Sequence, residues 1–259
     1  MENMSLGVLI SSMNQTDFDL INSSNLKEVN TIIINQNGEE KTVEKGIHKM
    51  ICTSSKGLSK SRNIALDNSI FDISVISDDD ETFFDNMEEL VRKGYDNNPK
   101  ADIIVFKIKN LNKRYFKKAK RLSKYELLKV SSVQITFKTK AIKDAQIRFN
   151  EKLGAGTGNG AGEENKFLLD CYKKGLKIYF VPVEIGQLNE SESSWFHGYT
   201  DKWFYNRGMS TRYILGFFIS IFYAFFDIAK RWNVYKAAGN PLRFLRIVLK
   251  GIFENKLKD

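Results

Sequence analysis

The sequence predicts an α/β domain followed by a helical extension, and three observations carry that expectation. Short apolar, β-branched runs recur at residues 6–10 (LGVLI), 29–34 (VNTIII), 47–53, 72–77 (DISVIS), 102–108 (DIIVFKI) and 177–181 (KIYFV), and runs of this kind read as buried strands. Segments with helical spacing lie between them, as at Phe83, Phe84, Met87, Leu90 and Val91. From residue 209 on, long apolar and basic stretches replace the strand pattern.

A chain of 259 residues holds one large domain and an appendage. Its 42% hydrophobic and 27% charged residues are ordinary for a globular protein. Cys52 and Cys171 stand far apart with no CxxC, which reads as reduced thiols in a cytoplasmic protein. His48 and His197 are too few for a histidine metal site. The first residues lack the basic n-region of a secretory signal. The net charge of +9 is uneven: −8 over residues 1–106, +12 over 107–143, −2 over 144–199 and +7 over 200–259. Positive blocks of this size suit anionic partners.

In order, the first strand leads into the loop Ser11-Ser12-Met13-Asn14, and a short helix is expected over residues 17–25. The second strand ends in Asn35-Gln36-Asn37-Gly38, whose amides can hydrogen-bond a base edge or simply make an Asn-Gly turn. A third strand over residues 47–53 feeds Gly57-Leu58-Ser59-Lys60-Ser61-Arg62-Asn63, a loop entering a helix, with Arg62 placed to meet a phosphate or fix the loop. The run 72–77 then ends in Asp78-Asp79-Asp80-Glu81. Four carboxylates repel one another and are not expected inside a core unpaired. They therefore fall at the strand's carboxyl end, where open α/β sheets bind ligands. Carboxylates with substrate phosphates are the oxygen ligands that Mg²⁺ or Mn²⁺ prefers, so the cluster points to a metal-bridged diphosphate.

Residues 110–129 are strongly basic with interleaved Tyr115, Phe116 and Tyr125. No zinc, helix-turn-helix or RNP-like pattern accompanies them, and a solvated helix face near anionic lipid is expected rather than a nucleic-acid site. Strands are expected at 133–137 and 147–150. Five glycines in nine residues follow, Gly154, Gly156, Gly158, Gly160 and Gly162, a flexible loop able to approach a ligand closely. The dinucleotide fingerprint fails there, because Glu163-Glu164 stands where phosphate would dock and the strand-helix unit is missing. The two acids open an amphipathic helix closed by Gly175, where acids are also simply stabilising.

The order of these pieces resembles the GT-A glycosyltransferases of family 2, closest to their capsule and cell-surface polysaccharide subgroup: Ser-x-x-Arg-Asn-type segment, Asp-x-Asp, glycine loop, Glu-Glu, then Ser193-Ser194-Trp195. The resemblance covers roughly residues 5–208. It implies a GT-A (Rossmann-like) mixed sheet flanked by helices and an inverting, metal-dependent transferase of hexosyltransferase type. The donor would be a nucleotide sugar, a UDP-sugar first among them, and the acceptor a saccharide, lipid-linked in this subgroup. Donor contacts would fall to Ser12, Asn14, Asn35, Gln36, Gly57, Ser61, Arg62, Asn63, Asp78 and Asp79, with the divalent cation on Asp78 and Asp80. Glu164, with Glu163 second, would be the base. Gly156, Gly158, Gly160, Gly162, Ser193, Ser194, Trp195 and Arg207 would form the acceptor and diphosphate loop. Met13, Ser11 and the Asn35-Gln36 pair depart from the family pattern of aromatic, proline and acids at those places, which leaves the base open. A nucleotidyltransferase or a catalytically inactive glycosyltransferase-like scaffold are the rival readings.

This organisation sets a catalytic domain at 1–208 and a tail at 209–259. Residues 213–226 (YILGFFISIFYAFF) carry no charge but are fewer than the about 20 residues a spanning helix needs. Residues 242–253 are amphipathic and basic, opened by Pro241. Helices of this composition lie in a bilayer interface, so the expectation is a peripheral protein on the cytoplasmic face of the membrane. The alternative is that the tail packs on protein or joins a homodimer.

Overall fold

In the computed structural model, residues 4–111, 113–189, 198–254 and 257 are described. The elements run β1 (Leu6–Ser12), α1 (Asp19–Ser23), β2 (Asn30–Asn35), β3 (Lys41–Lys45), β4 (His48–Cys52), α2 (Leu58–Asn68), β5 (Ile73–Asp78), β6 (Glu81–Phe83), α3 (Met87–Asn97) and β7 (Ile103–Lys109). Then come β8 (Lys120–Arg121), β9 (Ile135–Lys138), α4 (Thr139–Asp144), α5 (Glu163–Lys173), β10 (Ile178–Leu188), α6 (Asp201–Leu215), α7 (Phe217–Lys230), α8 (Trp232–Ala238) and α9 (Pro241–Glu254).

The described chain divides into two compact units. The first comprises Met1–Lys56, Lys60–Phe149 and Phe167–Ser191; the second comprises Gly57–Ser59, Asn150–Lys166 and Glu192–Asp259. The first holds a mixed sheet in the order β3-β4-β2-β1-β5-β9-β7-β10-β6, with β8 on β10. The neighbours β4, β2, β1 and β5 are parallel, as are β7 and β10. β9 runs antiparallel to both β5 and β7, between which it is inserted. Central strands buried on both faces read as continuous apolar runs, which is why Leu6–Ser12 is buried at every residue. Its core gathers Leu6, Val8, Ile10, Ile33, Val75 and Phe106 with α3 residues such as Val91 and Tyr95. Cys52 and Cys171 are both buried thiols.

Four expectations change. Residues 147–150 form no strand: the Phe149 backbone is held by a side chain, Asn63, whose Nδ2 donates to its carbonyl (3.0 Å) and whose Oδ1 accepts from its N–H (2.9 Å). The basic stretch after Asn110 forms no α-helix among its described residues, only β8 and a 3₁₀ turn at Leu127–Lys129. Leu122 and Leu127 are buried there, and this pins the segment to the core at spacings that do not repeat every turn. The acid run is not wholly outside the core, because β6 begins at Glu81 and pairs with β10. The period of two then puts Glu81 on the face of Phe83, and both are buried. The uncharged run 213–226 is two helices, broken at Gly216 with φ +82°.

In the second unit α6 and α9 touch backbone to backbone. A Cβ on Gly208 would collide with the Val248 carbonyl, and one on Gly251 with the Tyr205 carbonyl. Glycine at both crossing points is therefore what lets the two axes approach. Phe204, Tyr235, Phe244, Val248 and Ile252 fill the core beside them, with Phe204 and Phe244 stacked at 4.1 Å. Among the described residues no helix is long and apolar enough to cross a membrane.

Candidate active site

In the first unit, the acids sit at the carboxyl end of β5. Arg62 rises from α2, only 3% exposed, and its Nη2 donates to Asp78 Oδ1 at 3.0 Å. The Phe149 ring lies 5.6 Å from the guanidinium. Phe149 in turn stacks on Phe167 at 4.2 Å. The other Asp78 oxygen accepts from Ser132 Oγ at 3.4 Å. A guanidinium this deep is stable only when paired, so Arg62 fixes Asp78 as firmly as Asp78 holds Arg62. Ser61 donates to Ser11 Oγ at 2.9 Å. The consecutive residues Ser61, Arg62 and Asn63 thus fasten α2 to β1, β5 and the Phe149 backbone in turn.

Asp79 and Asp80 follow. Burial first, then the Asp78 charge, pushes both carboxyls above the ordinary carboxylate range, with Asp79 adding to the effect on Asp80. Glu81 is fully buried with neither carboxyl oxygen hydrogen-bonded, while the Ser77 hydroxyl donates to the Asp78 carbonyl at 3.0 Å. Burial drives the Glu81 carboxyl well up; the nearby Ser77 hydroxyl opposes this, and the Asp78 and Asp80 charges add to it. The backbone beyond is tied down: Asn189 N donates to the Asp80 carbonyl (2.9 Å), and Thr82 Oγ1 donates to Asn189 Oδ1 (2.9 Å). Among the described residues no three His, Cys, Asp or Glu side chains form a ready metal cage. The hard oxygens of Asp78 and Asp80 fit a divalent cation of the kind that draws its other ligands from substrate phosphate and water. Burial is the larger cause of the raised Asp79 and Asp80 carboxyls, and the repulsion that adds to it is what such a cation relieves.

Nearby loops complete the strand ends. Asn14 takes a left-handed φ of +56° at the turn after β1. Asn35 is completely buried and holds that turn: its Nδ2 donates to the Gln15 carbonyl (2.7 Å) and its Oδ1 accepts from Gln15 N (2.9 Å). Gln36, half-buried, donates its N–H to the Ser12 carbonyl at 3.1 Å.

In the second unit the glycine loop is an ordered turn rather than a slack one. Gly154, Gly156, Gly158, Gly160 and Gly162 all have positive φ, alternating with residues that do not. Gly154 N donates to the Gly160 carbonyl at 2.9 Å and closes the loop. Thr157 Oγ1 donates to the Gly154 carbonyl, and Asn206 Nδ2 to that of Gly158. Leu58 N and Ser59 Oγ donate to the Ala155 and Leu153 carbonyls at 3.0 and 2.7 Å. Gly57 itself has φ +118°. A Cβ on Gly154 would stand 3.2 Å from the Glu163 carboxyl. Glu163 is buried and accepts from Gly162 N at 3.1 Å, whereas Glu164 is half-exposed. Arg207 is engaged by Asp227, at 3.2 and 2.9 Å, with the Trp203 ring 5.1 Å away. Ser193, Ser194 and Trp195 lie outside the described residues.

The sheet order, with β9 inserted antiparallel beside β5 and the acids at the end of β5, is that of a GT-A fold. No protein-family model matches the sequence, and no curated protein matches it. Solved structures do match, at 15–16% identity: S. aureus TarS 1–349, at a TM-score of 0.54 over 84% of this chain and 65% of that one, and the same protein in complex with UDP-GlcNAc, at 0.58 over 84% and 66%. A longer TarS structure matches over 80% of this chain and 39% of its own. The chain thus spans just under two thirds of the shorter TarS chain and well under half of the longer.

Proposed function

We propose that this chain is an inverting glycosyltransferase that takes a UDP-sugar and moves a hexose to the hydroxyl of a saccharide acceptor, lipid-linked in surface-polysaccharide synthesis. The observation that carries the reading is the buried Arg62–Asp78 pair, which holds the Asp78-Asp79-Asp80 carboxylates at the carboxyl end of β5. The GT-A likeness to TarS, solved with UDP-GlcNAc and with UDP, supports the choice of donor.

Asp78 and Asp80 would hold Mn²⁺ or Mg²⁺, which when bound offsets charge on the departing nucleoside diphosphate. Arg62 holds the Asp78 carboxylate in place through its 3.0 Å contact. Gln36 and the Asn14 turn are the donor contacts we infer at the base end, with Asn35 holding that turn from behind. Glu164 is the general base on the acceptor side. It takes the proton from the attacking hydroxyl as the new O–C1 bond forms, and the C1–O bond to the diphosphate breaks with its electron pair. Glu163, buried against the glycine loop, positions that turn.

The test is a thermal-shift screen of nucleotide sugars with and without Mn²⁺, followed by product analysis, since a ligand stabilises the state it binds. A Mn²⁺-dependent shift with a UDP-sugar and release of UDP support the reading. Release of pyrophosphate would make the chain a nucleotidyltransferase, and no shift with any sugar nucleotide would make it an inactive scaffold.

A further inference from the structure

Helix α7 is built inside out. The residues it turns into the second unit are Ser220, Ala224, Asp227 and Ile228, all buried. Its outward residues are Phe218, Ile219, Phe222, Phe225 and Phe226, each between 49% and 76% exposed. Their spacing of one, four, seven and eight places them on one stripe of a 3.6-residue helix. The inner face is fixed in place by Asp227, which accepts from Arg207 and from the Tyr235 hydroxyl (2.8 Å) and pairs with Arg231 (3.4 Å). Rotating the helix to hide the phenylalanines would bury none of them without tearing out this network. The fold therefore presents the stripe.

We propose that this outward face of α7 seats in the interface of an anionic lipid bilayer. Three observations select that occupant. The helix has 14 residues, roughly 21 Å at the usual rise, short of the about 30 Å hydrocarbon core, and one flank is fastened to protein. It can lie in a membrane surface but not cross it. A cation borders the stripe and its surroundings are basic: the Lys230 ammonium stands 5.6 Å from the Phe226 ring, Lys236 and Arg246 are exposed on the helices α8 and α9 that follow, and residues 200–259 carry a net +7. That is the chemistry of helices that bind anionic lipid, aromatic face down and cations toward the headgroups. A second copy fits less well. The stripe exposes on the order of 600 Å², taking about 200 Å² per large side chain, below the roughly 800 Å² that a stable interface takes from each partner. It would also set two +7 segments side by side. Phe253, exposed at the end of α9, lies 5.3 Å from Phe217 and extends the apolar surface to a second helix.

The inference stands apart from the sugar-transfer reading and is tested without substrate. The full chain is floated with vesicles of phosphatidylglycerol and phosphatidylcholine, and with phosphatidylcholine alone, at low and high salt. The wild type should float with the anionic vesicles at low salt and less at high salt, because exposed charges are screened. A Phe222→Ser/Phe225→Ser double variant should lose roughly a hundredfold in partition coefficient, from two aromatic side chains no longer buried in lipid. Its melting curve should be unchanged, since both positions are exposed. A wild type that stays at the bottom with anionic vesicles at low salt overturns the proposal, as does a double variant that floats equally well. So does a wild-type dimer that the double variant converts to monomer, which would assign the stripe to self-association.

Discussion

Replacing Glu81 by Gln should stabilise the protein, and more at alkaline than at acid pH. The carboxyl is fully buried at the start of β6, with neither oxygen hydrogen-bonded and the Asp78 and Asp80 charges near it. Its folded-state pKa therefore lies above the unfolded value, which is near 4.5. A group raised in this way leaves stability intact below the unfolded value and withdraws it as the pH climbs toward the folded one. At pH 8 folding must either bury a charge or take up a proton. An amide of nearly the same shape avoids both. Leaving a buried polar group unsatisfied costs about 1–3 kcal/mol and more when it is charged. The Gln variant should gain at least the lower part of that range at pH 8, or about 2–10 °C in melting temperature for a chain of this size. Near pH 4.5 the offset should shrink toward zero. Asp79 and Asp80 titrate in both proteins and largely cancel in the difference. Thermal melts of the two full chains at both pH values decide it. A pH-independent offset, or a variant less stable at pH 8, would show that Glu81 is charged and satisfied in the folded state.

Three further outcomes are expected. Asp80→Asn should abolish sugar transfer and remove the Mn²⁺-dependent thermal shift given by UDP, because an amide lacks the carboxylate's charge; full activity of this variant, or of the wild type in excess chelator, would sink the metal role. Glu164→Gln should keep that shift but slow transfer by roughly two to four orders of magnitude; if Glu163→Gln is the dead variant instead, the buried acid is the base. Gly208→Ala should destabilise the chain by about 1–3 kcal/mol despite alanine's better helix propensity, read as a lower melting temperature, since its Cβ meets the Val248 carbonyl; a more stable variant would refute the close crossing of α6 and α9.

The inner strands were legible because burial on both faces writes itself as unbroken β-branched runs, as in LGVLI and DISVIS. β3 was not, since Lys41–Lys45 is exposed at every residue and reads as polar loop. β6 was hidden inside the acid run: three residues make no pattern, and only the pairing with Leu188, far along the chain, turns Glu81 inward. Ile147 and Phe149 looked like a strand because they are apolar, yet the Phe149 backbone is met by one asparagine side chain and the Ile147 N–H donates to the Ile142 carbonyl. At the site, the Arg62-Asn63 segment and the acid cluster stood out by residue type. That Arg62 would close on Asp78, and that Asn35 would turn inward to Gln15, depended on tertiary placement. The same holds for α7, where fourteen uncharged residues said nothing of which face was in or of the break at Gly216.

The place of β9 has a consequence for how the chain is made. β5 and β7 are complete once residue 109 has left the ribosome, but the strand that joins them ends only at Lys138. Until then each has a bare hydrogen-bonding edge rich in isoleucine and valine, the kind of edge that recruits other strands. Residues 110–138, synthesised during this interval, carry nine cations to one anion. Like charge on that stretch would keep neighbouring nascent chains apart while the two edges wait for the strand between them.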